Sequence, residues 1–173
     1  TIRAAAGDIE GSVREPDEEP PRLVPEEAPE GGEALGRIVA PAANLDAVMV
    51  EGVERWQLKL GPGHFPGTPM PGQPGNAVIS GHRTTYGAPF YDLHLLQPGD
   101  EIVVETAIGK HVYQVRESLV VEPDDVWVLD DREGAWLTLT TCHPQFSARQ
   151  RLVVFAEMVG GPNLLAVAAT SSS

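Results

Sequence analysis

The stretch LTLTTCHPQFSARQRLVVFAEMV, residues 137–159, includes most of the first and all of the second of the two runs that most strongly predict β-strands. Residues 135–142 and 151–159 are dominated by β-branched and other apolar side chains, which strands favour. The first run ends in the only cysteine of the chain, Cys142. Because successive side chains of a strand point to opposite faces, Cys142 shares a face with Thr140 and not with the leucines. We therefore expect the thiol at a strand end, on its more polar side.

Short strands and turns alternate through much of the remaining sequence. Strands are predicted at 36–40, 45–51 and 77–80, with a hairpin inside 101–122 that turns at 108–110. Helical turns are predicted at 54–61 and 87–93. Because little helical periodicity remains, the sequence predicts an all-β (mainly β) fold, a barrel or a sandwich with a few short helices.

One internal segment interrupts this pattern. Residues 61–76, GPGHFPGTPMPGQPGN, include five glycines and five prolines. Such a composition excludes regular helix and central strand. It predicts a long surface loop that its prolines hold in a fixed shape, and loops of this kind are often functional.

The two ends of the chain differ in composition from its middle. Residues 1–34 are rich in Pro and Glu and poor in aromatic residues, which predicts a flexible acidic spacer. The alternative is an irregular arm packed on the domain. We expect one β-rich domain at 35–160 and a C-terminal tail at 161–173.

The charge of the chain limits its partners. Asp and Glu outnumber Lys and Arg by 25 to 12, and the formal net charge is −13. A nucleic acid or an anionic membrane surface needs a basic footprint, so neither is an expected partner. No stretch approaches the roughly 18 consecutive apolar residues of a membrane span, so we expect a soluble chain whose membrane anchor, if any, lies outside it.

A single cysteine leaves three roles for Cys142: a buried core residue, a metal ligand or a nucleophile. Its place at a strand end, with arginines a few residues on, favours the nucleophile, because nearby cations stabilise a thiolate. No C-x-x-C or H-x-x-x-H spacing supports a zinc site made of histidines and Cys142. We therefore expect no metal and no cofactor.

A cysteine nucleophile needs a group that transfers protons, and the chain has five histidines. We expect His94 and His111 to have packing or surface roles. His143 adjoins the cysteine and therefore points to the opposite face of the strand. His64, in the Pro/Gly segment, and His82, directly after a predicted strand, remain, and chain position favours His82.

Three motifs together resemble the sortases, cysteine transpeptidases of Gram-positive cell surfaces. TLTTC at 138–142 is similar to their TLxTC signature, GHRTTYG at 81–87 to their catalytic-histidine segment, and RLVVFAEMV at 151–159 to their arginine-led last strand. The resemblance covers about residues 36–159 and is greatest to the class E sortases of actinobacteria. It implies a sortase-like eight-stranded β-barrel with one or two short helices.

The resemblance also implies a chemistry. Cys142 would attack the Thr–Gly carbonyl of a C-terminal sorting signal, His82 would protonate the leaving amine, and Arg151 would hold the peptide and the oxyanion. The residues expected to bind substrate are His64, Phe65, Thr84, Tyr86, Thr140 and Thr141. Class E enzymes are expected to prefer LAxTG to LPxTG, and they commonly have Tyr where this chain has Phe65.

The resemblance implies partners and a location as well. The partners are surface proteins that bear a sorting signal, and the amine of a peptidoglycan precursor or a pilin. The location is the extracellular face of the cell membrane, where class E members are held by an N-terminal transmembrane helix that this sequence lacks.

Strand geometry narrows the choice of arginine. If 137–142 and 151–159 pair as antiparallel strands with their leucines and valines on one face, the residue opposite Cys142 has an odd number. Arg149 and Arg151 both satisfy this condition. Arg151 directly begins the apolar run, as the sortase arginine does, so we expect it opposite the thiol.

Three other functions are compatible with some of these residues. A non-catalytic β-barrel binding module predicts an unreactive thiol. A metal-binding hydrolase would use His64, His82 and Cys142. A papain-like hydrolase needs its cysteine before its histidine, and the order here is the reverse.

Overall fold

The computed structural model describes residues 21–143 and 147–171, which form a closed barrel of eight strands. The strands are β1 (Ala34–Ala40), β2 (Leu45–Glu51), β3 (Gly63–His64), β4 (Gly75–Ser80), β5 (Glu101–Thr106), β6 (Gly109–Val121), β7 (Ala135–His143) and β8 (Gln150–Gly160). Around the barrel their order is β1-β2-β3-β4-β7-β8-β6-β5, and β5 closes on β1. The predicted all-β class and the eight-stranded barrel are confirmed.

Helical structure is short. The α-helices are α1 (Arg55–Leu58) and α2 (Leu164–Ser171), and single 3₁₀ turns occur at Pro41–Ala43, Leu93–Leu95 and Val126–Leu129. A capping box between Glu54 and Gln57 starts α1, which accounts for the predicted helical turn at 54–61. No helix among the described residues is both long and apolar enough to cross a membrane.

The barrel interior is filled by the inward-facing side chains of the strands. Its fully buried members include Ile38, Met49, Ile79, Ile102, Tyr113, Leu137 and Leu139. A second, smaller apolar cluster, formed by Val121, Val128, Val153 and Phe155, covers the outer face of β7 and β8. Of the described side chains of β7, Trp136, Thr140 and Cys142 are partly exposed and the others are buried.

The pairing of the last two strands agrees with the prediction that an odd-numbered residue lies opposite Cys142. Strands β7 and β8 are antiparallel, with Leu139 opposite Val154 and Cys142 opposite Arg151. Of the two registers that strand alternation allowed, the structure has the one that places Arg151 beside the cysteine.

Two local predictions were wrong. The β5–β6 hairpin turns at Ala107–Ile108 rather than at 108–110, because Thr106 pairs with Gly109. Residues 87–93 form no α-helix, since Tyr86 and Ala88 have positive φ angles of 50° and 43° and Pro89 disfavours helical backbone at the residue before it.

The Pro/Gly segment 61–76 is only partly a surface loop. Residues 61–64, 70–73 and 75–76 are buried, and only Pro66, Gly67 and Pro74 are exposed. Contrary to the prediction, Gly63–His64 forms strand β3, and strand β4 begins at Gly75. Gly72 has a φ angle of +90°, and a Cβ atom there would lie 2.2 Å from the His111 ring. Glycine therefore allows the loop to pack closely, which the prediction of a surface loop missed.

The described parts of the two chain ends make contacts with the barrel. The backbone of Val24 donates to Asn163 Oδ1 at 2.7 Å, and Gly32 N–H donates to the Glu51 carbonyl at 2.8 Å. Most of residues 21–34 are exposed, and residues 1–20 lie outside the described residues, so the spacer stays a prediction. In the predicted tail, 164–171 form α2, and Val167 enters the core.

Candidate active site

A parallel strand pair brings His82 and Cys142 together. Strands β4 and β7 run side by side in the same direction, with Ser80 opposite Thr140. His82 and Cys142 each follow two residues later, so both leave the pair at the same edge of the barrel. The sixty residues that separate them in sequence therefore equal the difference in number between paired residues of β4 and β7, such as Ser80 and Thr140.

Hydrogen bonds continue this pairing beyond the end of β4. Gly81 N–H donates to the Thr140 carbonyl at 3.2 Å, and the Thr141 hydroxyl donates to the Gly81 carbonyl at 2.7 Å. The His82 carbonyl accepts from Phe90 N–H at 3.1 Å. The first two bonds fix the backbone just before His82 relative to β7, and the third ties the His82 carbonyl to Phe90.

Cys142 is half-buried at the open end of β7, on the face away from the barrel interior. Its opposite neighbour, Arg151, donates from Nη1 to the Ala148 carbonyl at 2.9 Å and to the Gln150 carbonyl at 3.1 Å. The guanidinium is thus tied to the backbone just before β8, next to the cysteine. Arg149 is exposed.

His82 is half-buried, and its Nε2 atom is buried without a hydrogen-bond partner among the described residues. Its ring lies 5.1 Å, centroid to centroid, from that of Tyr86. Burial lowers the pKa of His82 below the ordinary value of 6.5, so the neutral imidazole predominates at neutral pH.

A surface cleft of about 300 Å³ joins these groups. His82, Cys142 and Arg151 line it together with Phe65 and Thr140, and Val53 and Leu58 add apolar wall. A second cleft of about 170 Å³ shares Phe65, Ser80, Thr140 and Arg151 with the first and continues along Val126, Leu129 and Val153. An extended chain of several residues could lie along the two.

The predicted substrate-binding residues divide into two groups. Phe65 and Thr140 line both clefts. Thr141 borders the first cleft but is 4% exposed, and its hydroxyl bonds Gly81. Thr84 is half-buried and Tyr86 is 55% exposed, and neither lines the two clefts.

The prediction that His64 contacts substrate is corrected by the structure. His64 is 1% exposed. Its Nδ1 lies 2.7 Å from Glu51 Oε1, and its Nε2 lies 2.8 Å from the Pro69 carbonyl oxygen. The ring therefore holds the Pro/Gly segment in place and has no free face for a ligand. Because these contacts occupy both ring nitrogens, His64 has none left to bind zinc together with His82 and Cys142.

Of the remaining histidines that the structure describes, His111 is a packing residue and His94 is an exposed surface residue. His111 is fully buried and its Nε2 lies 2.9 Å from the Thr106 hydroxyl. His94 Nδ1 lies 2.9 Å from Arg83. The side chain of His143 lies outside the described part. Among residues 21–143 and 147–171, no group of His, Cys, Asp and Glu could hold a metal ion.

Sequence reasoning missed one residue of this region, Arg83. It is 3% exposed and donates from Nη1 to the Cys142 carbonyl at 2.7 Å. The only signal in the sequence was its place after His82, and nothing in that pattern distinguishes a buried arginine from a solvated one.

Comparisons with known proteins show which proteins this chain is similar to. A family model described as the sortase domain matches residues 38–159. Sortase SrtE1 of Streptomyces coelicolor is 41% identical over 102 residues, which are 53% of this chain and 29% of that protein. Sortase D of Bacillus subtilis is 32% identical over 136 residues, covering 76% of this chain and 67% of that protein. The aligned part thus spans less than a third of the first relative and two thirds of the second.

The barrel also superimposes on solved structures. A crystal structure of sortase E1 from Streptomyces coelicolor, with a tripeptide in its active site, gives a TM-score of 0.70 at 32% identity. The match covers 78% of this chain and 92% of that one. Fold and sequence therefore indicate the same family.

Proposed function

The chain belongs to the sortase family, and from this membership we propose that it is a cysteine transpeptidase that cleaves a C-terminal sorting signal between Thr and Gly. The observation that carries the proposal is the shared cleft, in which a free thiol, an unpartnered imidazole nitrogen and an arginine meet at the end of the β4–β7 pair. A nucleophile, a proton donor and a cation for an oxyanion are the three groups that acyl transfer needs.

The proposed acylation step starts from the fraction of enzyme that holds a Cys142 thiolate and a His82 imidazolium. The thiolate attacks the threonine carbonyl carbon and forms the carbon–sulfur bond. Arg151 donates hydrogen bonds to the carbonyl oxygen as it becomes negative. When the tetrahedral intermediate collapses, the Thr–Gly carbon–nitrogen bond breaks and the imidazolium of His82 gives a proton to the leaving amine. The products are a thioester on Cys142 and a peptide with a free N-terminal glycine.

The second step resolves the thioester. An incoming primary amine attacks the thioester carbonyl, neutral His82 accepts its proton, and the thiolate leaves, so the cycle returns to its starting charges. Burial lowers the pKa of His82, which favours the neutral form that this step requires. The acceptor is proposed to be the amine of a peptidoglycan precursor or of a pilin.

The clefts suggest how the signal binds. The two clefts meet at Phe65, Thr140 and Arg151, so we place the threonine at the cysteine and the residues before it toward Val126 and Leu129. The apolar wall of the second cleft suits the leucine of LAxTG. Phe65, at the junction, is proposed to favour alanine over proline at the second position.

The proposed transpeptidase activity also implies partners and a location. The donors are surface proteins with a C-terminal sorting signal, and the enzyme is proposed to act at the outer face of the cell membrane.

The test uses the intact chain and its Cys142→Ala variant. Wild type incubated with an LAxTG peptide and a glycine-based amine should give a thioacyl enzyme, detected by mass, and a ligated product. Cys142→Ala should give neither while it keeps the wild-type circular dichroism spectrum. Full turnover by Cys142→Ala would overturn the proposal, and an unreactive thiol in wild type would favour a non-catalytic binding module.

A further inference from the structure

The candidate active site has a buried arginine that the mechanism above does not use. Arg83 is 3% exposed, and each nitrogen of its guanidinium is occupied. Nη1 donates to the Cys142 carbonyl at 2.7 Å, Nε donates to the Tyr91 carbonyl at 2.9 Å, and Nη2 lies 2.9 Å from His94 Nδ1. Because a guanidinium only donates, His94 Nδ1 is the acceptor in the last pair.

The position of Arg83 explains why these contacts matter. It directly follows His82, beyond the end of β4, and its side chain reaches the backbone of Cys142 in β7. The Thr141 hydroxyl makes the matching link from the other strand, to Gly81, at 2.7 Å. The side chains of Arg83 and Thr141 therefore connect the His82 and Cys142 segments by hydrogen bonds.

The positive charge of Arg83 is unusual for a side chain this deeply buried. None of the described carboxylates lies within 4.0 Å of the Arg83 guanidinium. Burial lowers the pKa of Arg83, and the charges of Asp92, Cys142 and Tyr91 offset part of that effect. Burying a cation without a directly paired anion is unfavourable, so stability alone does not account for an arginine here.

We propose that Arg83 is a positioning residue that holds the Cys142 end of β7 in register with the His82 segment through its hydrogen bonds to Cys142, Tyr91 and His94. This inference rests on the proposed function. Arg83 does not line either cleft, so it acts through Cys142 and not on the substrate. Its planar fork spans three acceptors at once, and no other side chain offers that geometry.

The test compares Arg83→Met and Arg83→Lys with wild type in steady-state cleavage of an LAxTG peptide. We expect Arg83→Met to lower kcat by about 10- to 100-fold, the scale of a displacement of about 1 Å at a reacting centre. KM should stay within about threefold, since the clefts keep their lining. Arg83→Lys should recover part of kcat, because an ammonium group can still reach one of the acceptors.

A matched control separates positioning from stability. Met158→Ala removes a buried side chain at the far end of β8, roughly 23 Å along the strand from Arg151. It should lower Tm without lowering kcat at a temperature where all variants are folded. An Arg83→Met variant with kcat within twofold of Met158→Ala, or with a raised KM and unchanged kcat, would overturn the inference.

A second pair of variants keeps the inference testable if Arg83→Met does not fold. His94→Asn offers an amide oxygen in place of Nδ1 and should retain most of kcat, whereas His94→Leu removes the acceptor and should lower kcat. Equal kcat in these two variants would overturn the inference. If wild type forms no thioacyl enzyme, the proposed function fails and the inference with it, whereas an active wild type and an equally active Arg83→Met overturn the inference alone.

Discussion

At the scale of single residues, the two candidate histidines have different surroundings. His82 lines the cleft with an unpartnered Nε2, whereas His64 is buried between Glu51 and Pro69. One is available for proton transfer and the other holds a loop. Their alanine variants should therefore fail in different assays.

We predict that His82→Ala lowers kcat/KM for peptide cleavage by about 10²–10⁴-fold, the usual loss of a general acid–base group, with little change in Tm. His64→Ala should instead lower the free energy of unfolding by about 1–3 kcal/mol for each buried acceptor left unpaired. Steady-state kinetics and urea titrations of both variants test this. A larger kinetic loss in His64→Ala, at a temperature where it is folded, would show that the wrong histidine was chosen.

The arginines next to Cys142 allow a second prediction at this scale. Arg151 lies opposite Cys142 and lines both clefts, whereas Arg149 is exposed and lines neither. Arg151→Ala should reduce single-turnover acylation by about 10²–10³-fold, as the loss of an oxyanion donor does. Arg151→Lys should rescue little, since a point charge lacks the planar pair of donors.

Arg149→Ala is the matched control and should acylate at nearly the wild-type rate. A two-residue slip of β8 would exchange the two outcomes. A larger loss in Arg149→Ala than in Arg151→Ala would therefore contradict the register of the β7–β8 pair.

At the scale of elements, the Pro/Gly segment 61–76 places one residue, Phe65, in the wall of both clefts. Phe65 N–H donates to the Val78 carbonyl at 2.8 Å, and the Thr68 hydroxyl donates to the Phe65 carbonyl at 2.7 Å. With His64 buried directly before it, the Phe65 backbone is held from both sides. The aromatic ring therefore lines the clefts from a fixed position.

We predict that wild type prefers LAxTG to LPxTG peptides, and that Phe65→Ala lowers kcat/KM on LAxTG by about tenfold while reducing the preference. Phe65→Tyr should keep the preference. Rates on the paired peptides measure it, with Leu165→Ala, an exposed apolar residue of α2, as the control. An unchanged ratio in Phe65→Ala would remove this residue from the specificity pocket.

At the scale of the whole molecule, buried histidines link stability to pH. Burial lowers the pKa of His82, and it lowers the pKa of fully buried His111 more than the nearby charge of Glu26 raises it. In both cases the unfolded chain, whose imidazoles titrate near 6.5, binds protons that the folded chain does not. Stability from these groups is therefore fully present above that pH and is lost as the pH falls below it.

We predict that the free energy of unfolding decreases between about pH 7.5 and about pH 5. His111→Gln, which keeps a polar partner for Thr106 but does not titrate, should show a smaller decrease. Urea titrations at several pH values for both proteins test this. A decrease of the same size in His111→Gln would show that His111 does not contribute to it.

The strand pattern of this chain could be predicted because it is a local property. Alternation along 135–142 and 151–159 sets which side chains share a face, and it restricted the partner of Cys142 to an odd-numbered residue. It could not decide between Arg149 and Arg151, because a shift of two residues preserves the alternation. The helix wrongly predicted at 87–93 failed for a local reason as well, the positive φ angles on either side of Gly87.

By itself, then, the sequence determined the β class, the family and the cysteine and histidine that carry the proposed chemistry, because strand propensity, alternation and short motifs are encoded by neighbouring residues. Only the tertiary structure decided which of those residues meet. The parallel register of β4 and β7 brings His82 to Cys142, and packing buries His64 and Arg83 while leaving Phe65 in the cleft. Burial and long-range pairing depend on the whole barrel closing, so no short stretch of sequence specifies them.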